Sequence, residues 1–196
     1  MKLIVFLTII LIMAGCREKT DCPPYSEEYL NWMPYQQGEK FSFTDGEDTF
    51  KLNVDETFRS SAYTITQPMI AKKPCEADAY AKMSGDSFLP KIEVVGTYRP
   101  NIEPGRITYV IEFLNSEYST FIFIFENETF YDISLMDTLL KSYDNGYEQY
   151  NNVLKLGSDT TVLHHQQIYQ VCVAESVGII QFKDIKNHKT WSLVEE

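Results

Sequence analysis

The sequence is short of the residues on which most enzyme and metal chemistry depends. Only 3 histidines occur in 196 residues, at His164, His165 and His188. His164 and His165 are neighbours, and neighbours on a strand point to opposite faces, so that pair cannot chelate one ion. No HExxH run and no CxxC spacing is present, so a zinc site has no ligand set to build on. GxSxG, GxxxxGK[ST] and GxGxxG are missing too, which leaves a serine-hydrolase elbow and phosphate-binding loops without local support. Basic residues are scarce: 17 Lys and Arg stand against 28 Asp and Glu, a formal net charge of −11. A surface this acidic repels phosphate backbones and argues against nucleic acid as a partner. The apolar run from Leu3 to Gly15 is broken only by Thr8, yet it falls short of the roughly 20 residues that span a bilayer. Internal repeats, low-complexity tracts and charge blocks are absent. No metal and no cofactor is implied.

What is present points to strands. Hydrophobic residues make up 44% and charged residues 23%, the balance of an ordinary folded domain rather than a disordered chain. Aromatics reach 14%, from 13 Tyr, 12 Phe and 2 Trp, and flat rings pack well on a pleated surface. Phe41 and Phe43, the turn Asp45-Gly46, then Phe50, Leu52 and Val54 form a hairpin pattern. Further strands are expected at Phe58 to Thr66, Ala79 to Met83, Lys91 to Tyr98, Arg106 to Leu114 and Thr120 to Glu126. In the last of these, Phe121, Phe123 and Phe125 share one face and Ile122 and Ile124 the other. Apolar groups on both faces predict a central strand. Gln149 to Leu156, Val162 to Ala174, Val177 to Phe182 and Thr190 to Val194 complete the set. Two short helices are expected. One is Glu27 to Trp32 behind Ser26, and the other is Ser134 to Tyr143, with Leu135, Met136, Leu139, Leu140 and Tyr143 on one face and Asn145-Gly146 as its stop. The fold expectation is therefore one all-β, antiparallel domain of about ten or eleven strands, closed as a curved barrel-like sheet or split into a two-sheet sandwich.

The N-terminus carries an address. Met1-Lys2 is a short basic start, and the apolar run that follows has the length of a secretory h-region. It ends Met13-Ala14-Gly15-Cys16, which resembles the lipobox of bacterial lipoproteins, with Met13 where Leu is usual. The resemblance implies a diacylglycerol thioether on Cys16, cleavage before it and acylation of the new amine by a fatty acid such as palmitate. Two or three acyl chains anchor a protein stably, since each buried methylene contributes about 0.8 kcal/mol. Residues 1–15 would then be a signal peptide, 16–24 a lipidated tether ending in Pro23-Pro24, and 25–196 the β domain. Arg17, in the place where inner-membrane lipoproteins often carry Asp, points to the outer membrane. The alternative is a secreted protein cleaved after Cys16, because Ala14-Gly15-Cys16 also satisfies a small-x-small rule.

Three further cysteines remain. Cys22 and Cys75 lie in polar, proline-flanked segments and Cys172 within an apolar strand pattern. An exported compartment permits disulfides, and an odd number leaves at least one thiol unpaired. A Cys22–Cys75 bridge and three free thiols both fit the sequence.

Trp32-Met33-Pro34-Tyr35-Gln36-Gln37-Gly38 resembles the W-x-P-Y-x-x-G opening of many small lipoproteins of Bacteroidota. Ile168-Tyr169, Val177-Gly178-Ile179-Ile180-Gln181-Phe182 and Trp191-Ser192-Leu193 resemble their common ending, a tyrosine-bearing strand, a V-G-[IL]-[IV]-x-[FY] strand and a W-x-L strand. The resemblance covers the two ends of the chain and implies location and fold rather than an activity.

Carboxylates are the catalytic residues in supply. Glu126 with Glu128, and Glu93 with Glu112 on neighbouring strands, are the pairs that a glycosidase mechanism would need at a set separation. Solvated carboxylates on an acidic surface are the plainer reading. Tyr63, Tyr98, Tyr109, Tyr118, Tyr147, Tyr150 and Tyr169 include a candidate platform for sugars or peptides, although tyrosines on sheets ordinarily serve packing. Asp137-Thr138-Leu139 and Asp159-Thr160-Thr161 resemble the short O-glycosylation sites of exported Bacteroidota proteins. The functional expectation is a non-enzymatic binding or structural module of the cell envelope, held by its lipid anchor and partnered by an envelope protein or glycan. A carrier of apolar ligands inside a β-barrel-like cavity is the alternative, and a glycan-active hydrolase the third reading.

Overall fold

The computed structural model describes residue 22 and residues 27–60, 63–64, 75–85, 91–100, 103, 105–114, 119–126, 129–131, 138–157 and 167–195. Alternation of apolar and polar residues becomes antiparallel β structure throughout. The strands are β1 (Lys40–Thr44), β2 (Thr49–Arg59), β3 (Tyr63–Thr64), β4 (Cys75–Gly85), β5 (Lys91–Tyr98), β6 (Arg106–Leu114), β7 (Ser119–Glu126), β8 (Thr129–Tyr131), β9 (Thr138–Asp144), β10 (Gln149–Gly157), β11 (Ile168–Ala174), β12 (Gly178–Asp184) and β13 (Lys189–Val194). A short 3-10 helix of two turns, Glu27–Trp32, precedes them.

These strands form one sheet in the order β8-β7-β6-β5-β4-β2-β1-β13-β12-β11-β10-β9, with β3 attached to β4. The sheet curls into a half-barrel. The curl brings strands that are far apart along the sheet into contact, and the buried Ile168 N–H of β11 donates to Ser119 Oγ of β7 at 2.9 Å. The inner face is filled with rings. Phe182 lies 5.4 Å from both Phe43 and Phe113, Tyr109 stacks on Phe123 at 4.6 Å, and Trp32 meets Phe123 edge-on at 6.5 Å. Such offset and edge contacts are the favoured geometries for aromatic pairs and add to the burial of their area.

The two ends of the chain lock together here. Tyr35 is buried against Gly178, and its hydroxyl accepts a 2.8 Å hydrogen bond from the Ile179 N–H. The Ser176 N–H donates to the Asn31 carbonyl at 2.6 Å. The residues of the W-x-P-Y and V-G-I-I stretches are thus the two halves of one contact.

Two hairpins share one turn design. Gly46 and Gly146 both have positive φ, at 97° and 95°, which a glycine adopts without steric cost. Asp45 Oδ1 accepts from the Glu47 and Asp48 N–H groups, and Asn145 Oδ1 accepts in the same way from Tyr147 and Glu148. Lys189 ties down the first turn, reaching both Asp45 and Asp48 at 2.6 Å. The second turn packs onto β12 and β13, where the buried Asn145 amide donates to the Leu193 carbonyl at 2.8 Å. Gln181, Ser192 and Tyr143 complete that polar cluster, with the Tyr143 hydroxyl 2.6 Å from Gln181 Oε1.

Two expectations are corrected. Thr138–Asp144 is strand β9, not part of a helix over Ser134 to Tyr143; residues 134–137 lie outside the described residues. Asn145-Gly146 is not a helix stop but the turn joining β9 to β10, an Asn-Gly pair being the strongest short hairpin signal. Strand β7 is paired on both sides, with β6 and with the three-residue β8, but among the described residues it stands second from the sheet edge; of its two outer-face isoleucines, Ile124 is buried and Ile122 is 42% exposed. The expected strand Val162 to Ala174 is described from Ile168 onward.

Candidate functional site

Among the described residues the inner face is filled with packed side chains, and the exposed groups lie on the outer face. Inward positions of β4, β5 and β6 are buried in strict alternation, which aims the intervening side chains outward. An Asp55 bulge in β2 shifts the pairing by one residue, and Glu56 and Phe58 face outward in consequence. Registers then align these positions into rows that run across the strands. Phe58 pairs with Tyr80, Tyr80 with Val95, Val95 with Val110 and Val110 with Ile122. The row is apolar from end to end. Phe58 is 46% and Ile122 42% exposed, and the three residues between them are half-buried. Phe58 and Tyr80 stack at 5.3 Å.

The next row along the strands is charged. Glu56 pairs with Lys82, Lys82 with Glu93, Glu93 with Glu112 and Glu112 with Thr120. Glu56 is satisfied: it accepts from the Tyr80 hydroxyl at 2.6 Å and from Lys82 Nζ at 3.3 Å. The Tyr80 hydroxyl first, and the Lys82 ammonium second, hold the Glu56 carboxyl below its ordinary value. Lys82 also sits over the Tyr80 ring, 4.7 Å from its centroid. Glu93 and Glu112 are different. They stand directly opposite each other, and among the described residues neither has a hydrogen bond or a salt bridge. Directly opposed like charges destabilise a sheet pair. On the other flank, a carboxylate and two hydroxyls stand in line: Thr97 donates to Asp78 at 2.9 Å and pairs with Thr108. At the sheet end Asp55, Glu56, Lys82 and Glu93 help line a pocket of about 190 Å³.

Cys16, Glu128, Tyr118, His164 and His165 lie outside the described residues. Cys22 and Cys75 are joined by a disulfide with a Cα–Cα distance of 5.6 Å. Cys172 is a buried free thiol whose pKa burial pushes up. Glu126 pairs with Arg106 across β6 and β7, far in sequence from the opposed Glu93 and Glu112. Among the described residues the tyrosines do not converge on one platform: Tyr98, Tyr109 and Tyr150 are core residues, whereas Tyr147 is 54% exposed on a hairpin turn. His188 is exposed in the turn between β12 and β13. Among the described residues no three His, Cys, Asp or Glu side chains are grouped as metal ligands, and no described helix is long and apolar enough to cross a membrane.

No protein-family profile, curated protein or solved structure matches the chain. The outer face offers an apolar strip with carboxylates along one side, which suits binding. The signal for it was present in the sequence as Ile122 and Ile124 opposite the phenylalanines of β7. Only the strand order shows that Ile122 faces outward.

Proposed function

We propose that this chain is a non-enzymatic, lipid-anchored protein of the bacterial cell envelope, with its β domain acting as a binding module at the outer membrane. In this reading residues 1–15 direct export, Cys16 carries the acyl chains, 16–24 form the tether and 25–196 the module. The likeness of Met13–Cys16 to a lipobox supports the anchor. The single observation that carries the binding role is the open apolar row from Phe58 to Ile122. A contiguous apolar strip rimmed by polar residues is the mark of an interaction surface rather than of chance exposure. The ring-filled inner face weighs against a carrier, whose ligand needs an apolar cavity of roughly 300 Å³ or more. Glu93 and Glu112 are half-exposed on the outer face of the sheet, whereas hydrolysis works in a water-excluding cleft, so a recognition role suits them better.

The test is photo-crosslinking in cells. A photoreactive residue at Val95 is expected to trap a discrete adduct, and one at Glu47 in the exposed β1–β2 turn is not. Equal trapping at both positions, or none at Val95 or Val110, would sink the binding role. Cys16→Ala is expected to move the protein out of the membrane fraction, and retention there would remove the anchor.

A further inference from the structure

We infer that the partner of this face is a cationic amphipathic helix of another protein, laid across the strands along the Phe58–Ile122 row. The inference rests on the binding role proposed above and adds the chemistry and shape of the occupant.

Spacing selects a helix. Neighbouring strands lie about 4.8 Å apart, so the row spans about 19 Å over its four intervals. A helix returns a side chain to one face about every 5.4 Å, or about 22 Å over four turns, a mismatch that sheet twist and side-chain length absorb. An extended segment repeats on one face about every 6.8 Å, or about 27 Å, and would lose register within two contacts.

Charge selects a cation. Of the charged row beside the strip, Lys82 is bonded to Glu56 and stands opposite Glu93, so one ammonium serves three carboxylates and Glu112 faces only Glu93 and Thr120. Lysines or arginines on one flank of a docked helix would stand between them and relieve the repulsion. The net charge of −11 favours the approach of the same partner and disfavours an anionic one. Burying the Glu93–Glu112 pair against a second copy of this chain would set four carboxylates together, so self-association is not the occupant.

The test uses the full chain in zwitterionic nanodiscs and a synthetic helical peptide of about 14 residues with a leucine stripe and lysines on one flank. Saturable binding is expected, weakening as salt rises from about 0.05 to 0.3 M. Glu93→Gln with Glu112→Gln, a change on the outer face that leaves the core untouched, is expected to weaken binding about tenfold. A scrambled peptide of equal charge and a peptide with glutamates in place of the lysines are expected not to saturate. Equal binding of the scrambled peptide, equal binding by the double Gln variant, or absence of binding to the empty-disc-corrected sample would overturn the helix assignment. So would a dimer in sedimentation that Val95→Asp abolishes, or adsorption to anionic vesicles in place of the peptide. Crosslinking at Val95 with no peptide binding would refute this inference and leave the binding role standing. Loss of both would remove the binding role itself.

Discussion

Replacement of Gly178 by alanine isolates the contact that joins the two ends of the chain. An added Cβ would lie 2.5 Å from Tyr35 Oη, 2.6 Å from Cζ and 2.7 Å from Cε1, and Gly178 has φ +92°. Three costs combine. A side chain at that φ costs roughly 1–3 kcal/mol. Displacing a packed ring costs about the same again. Moving Tyr35 strips the buried Ile179 N–H of its acceptor, at roughly 1–3 kcal/mol. Because the last two arise from one movement, they do not add fully, and about 3–6 kcal/mol is expected for Gly178→Ala. Tyr35→Phe should cost only the unpaired donor, about 1–3 kcal/mol. The decisive comparison is Gly178→Ala in a Tyr35→Ala background. There the ring is gone, and the glycine change should cost only its backbone part, about 1–3 kcal/mol. Equilibrium urea unfolding followed by fluorescence of the buried Trp32 and Trp191 reads all four chains. Equal cost of Gly178→Ala in both backgrounds would refute the reasoning, since the two sites would then not be coupled.

Three more outcomes follow from the same geometry. The Cys22–Cys75 bridge closes a loop of sequence separation 53, so its reduction should lower stability by about 4 kcal/mol on chain entropy alone, read as a fall in the urea midpoint; an unchanged midpoint would contradict the constraint. Asp45 has its carboxyl lowered to about 2, first by the Lys189 hydrogen bond and then by backbone donors. A depressed folded value means that its contribution is present above the ordinary carboxylate range near pH 4 and is lost as pH falls toward 2. An NMR titration midpoint for Asp45 near 4 would rule out the ion pair. Asn145→Ala leaves the Tyr147 and Glu148 N–H groups and the Leu193 carbonyl without their partner, and should cost about 2–4 kcal/mol of unfolding free energy. A cost below 1 kcal/mol would mean that water replaces the amide.

Much of the sheet was legible because period-two patterning is unambiguous where strands are long. The alternating Ile107, Tyr109, Ile111 and Phe113 of β6 all proved buried. The segment before Asn145 failed for a physical reason. Leu139, Leu140 and Tyr143 satisfy helical spacing, yet a short amphipathic pattern is also compatible with an edge strand whose neighbours decide the outcome. Pairing with β10 through the Asn145-Gly146 turn wins, and Tyr143 then reaches Gln181 while Leu139 is left 52% exposed. Of the outer-face row, only the two-faced apolar pattern of β7 was legible. Phe58, Tyr80, Val95, Val110 and Ile122 belong to five strands, and only the strand order and the Asp55 bulge bring them into line. Likewise the opposition of Glu93 and Glu112 is a matter of register, which alternation alone does not fix.

If the outer row serves binding and not stability, its apolar surface can be removed without unfolding the domain. Val95→Thr with Val110→Thr keeps the branched shape that a strand favours and removes only apolar surface. Measured together, the urea midpoint and the crosslink from a photoreactive residue at Ile122 separate the two roles. The expected result is a stability change below about 1 kcal/mol with loss of the adduct. A large loss of stability with the adduct retained would make the row a structural element and contradict the claim.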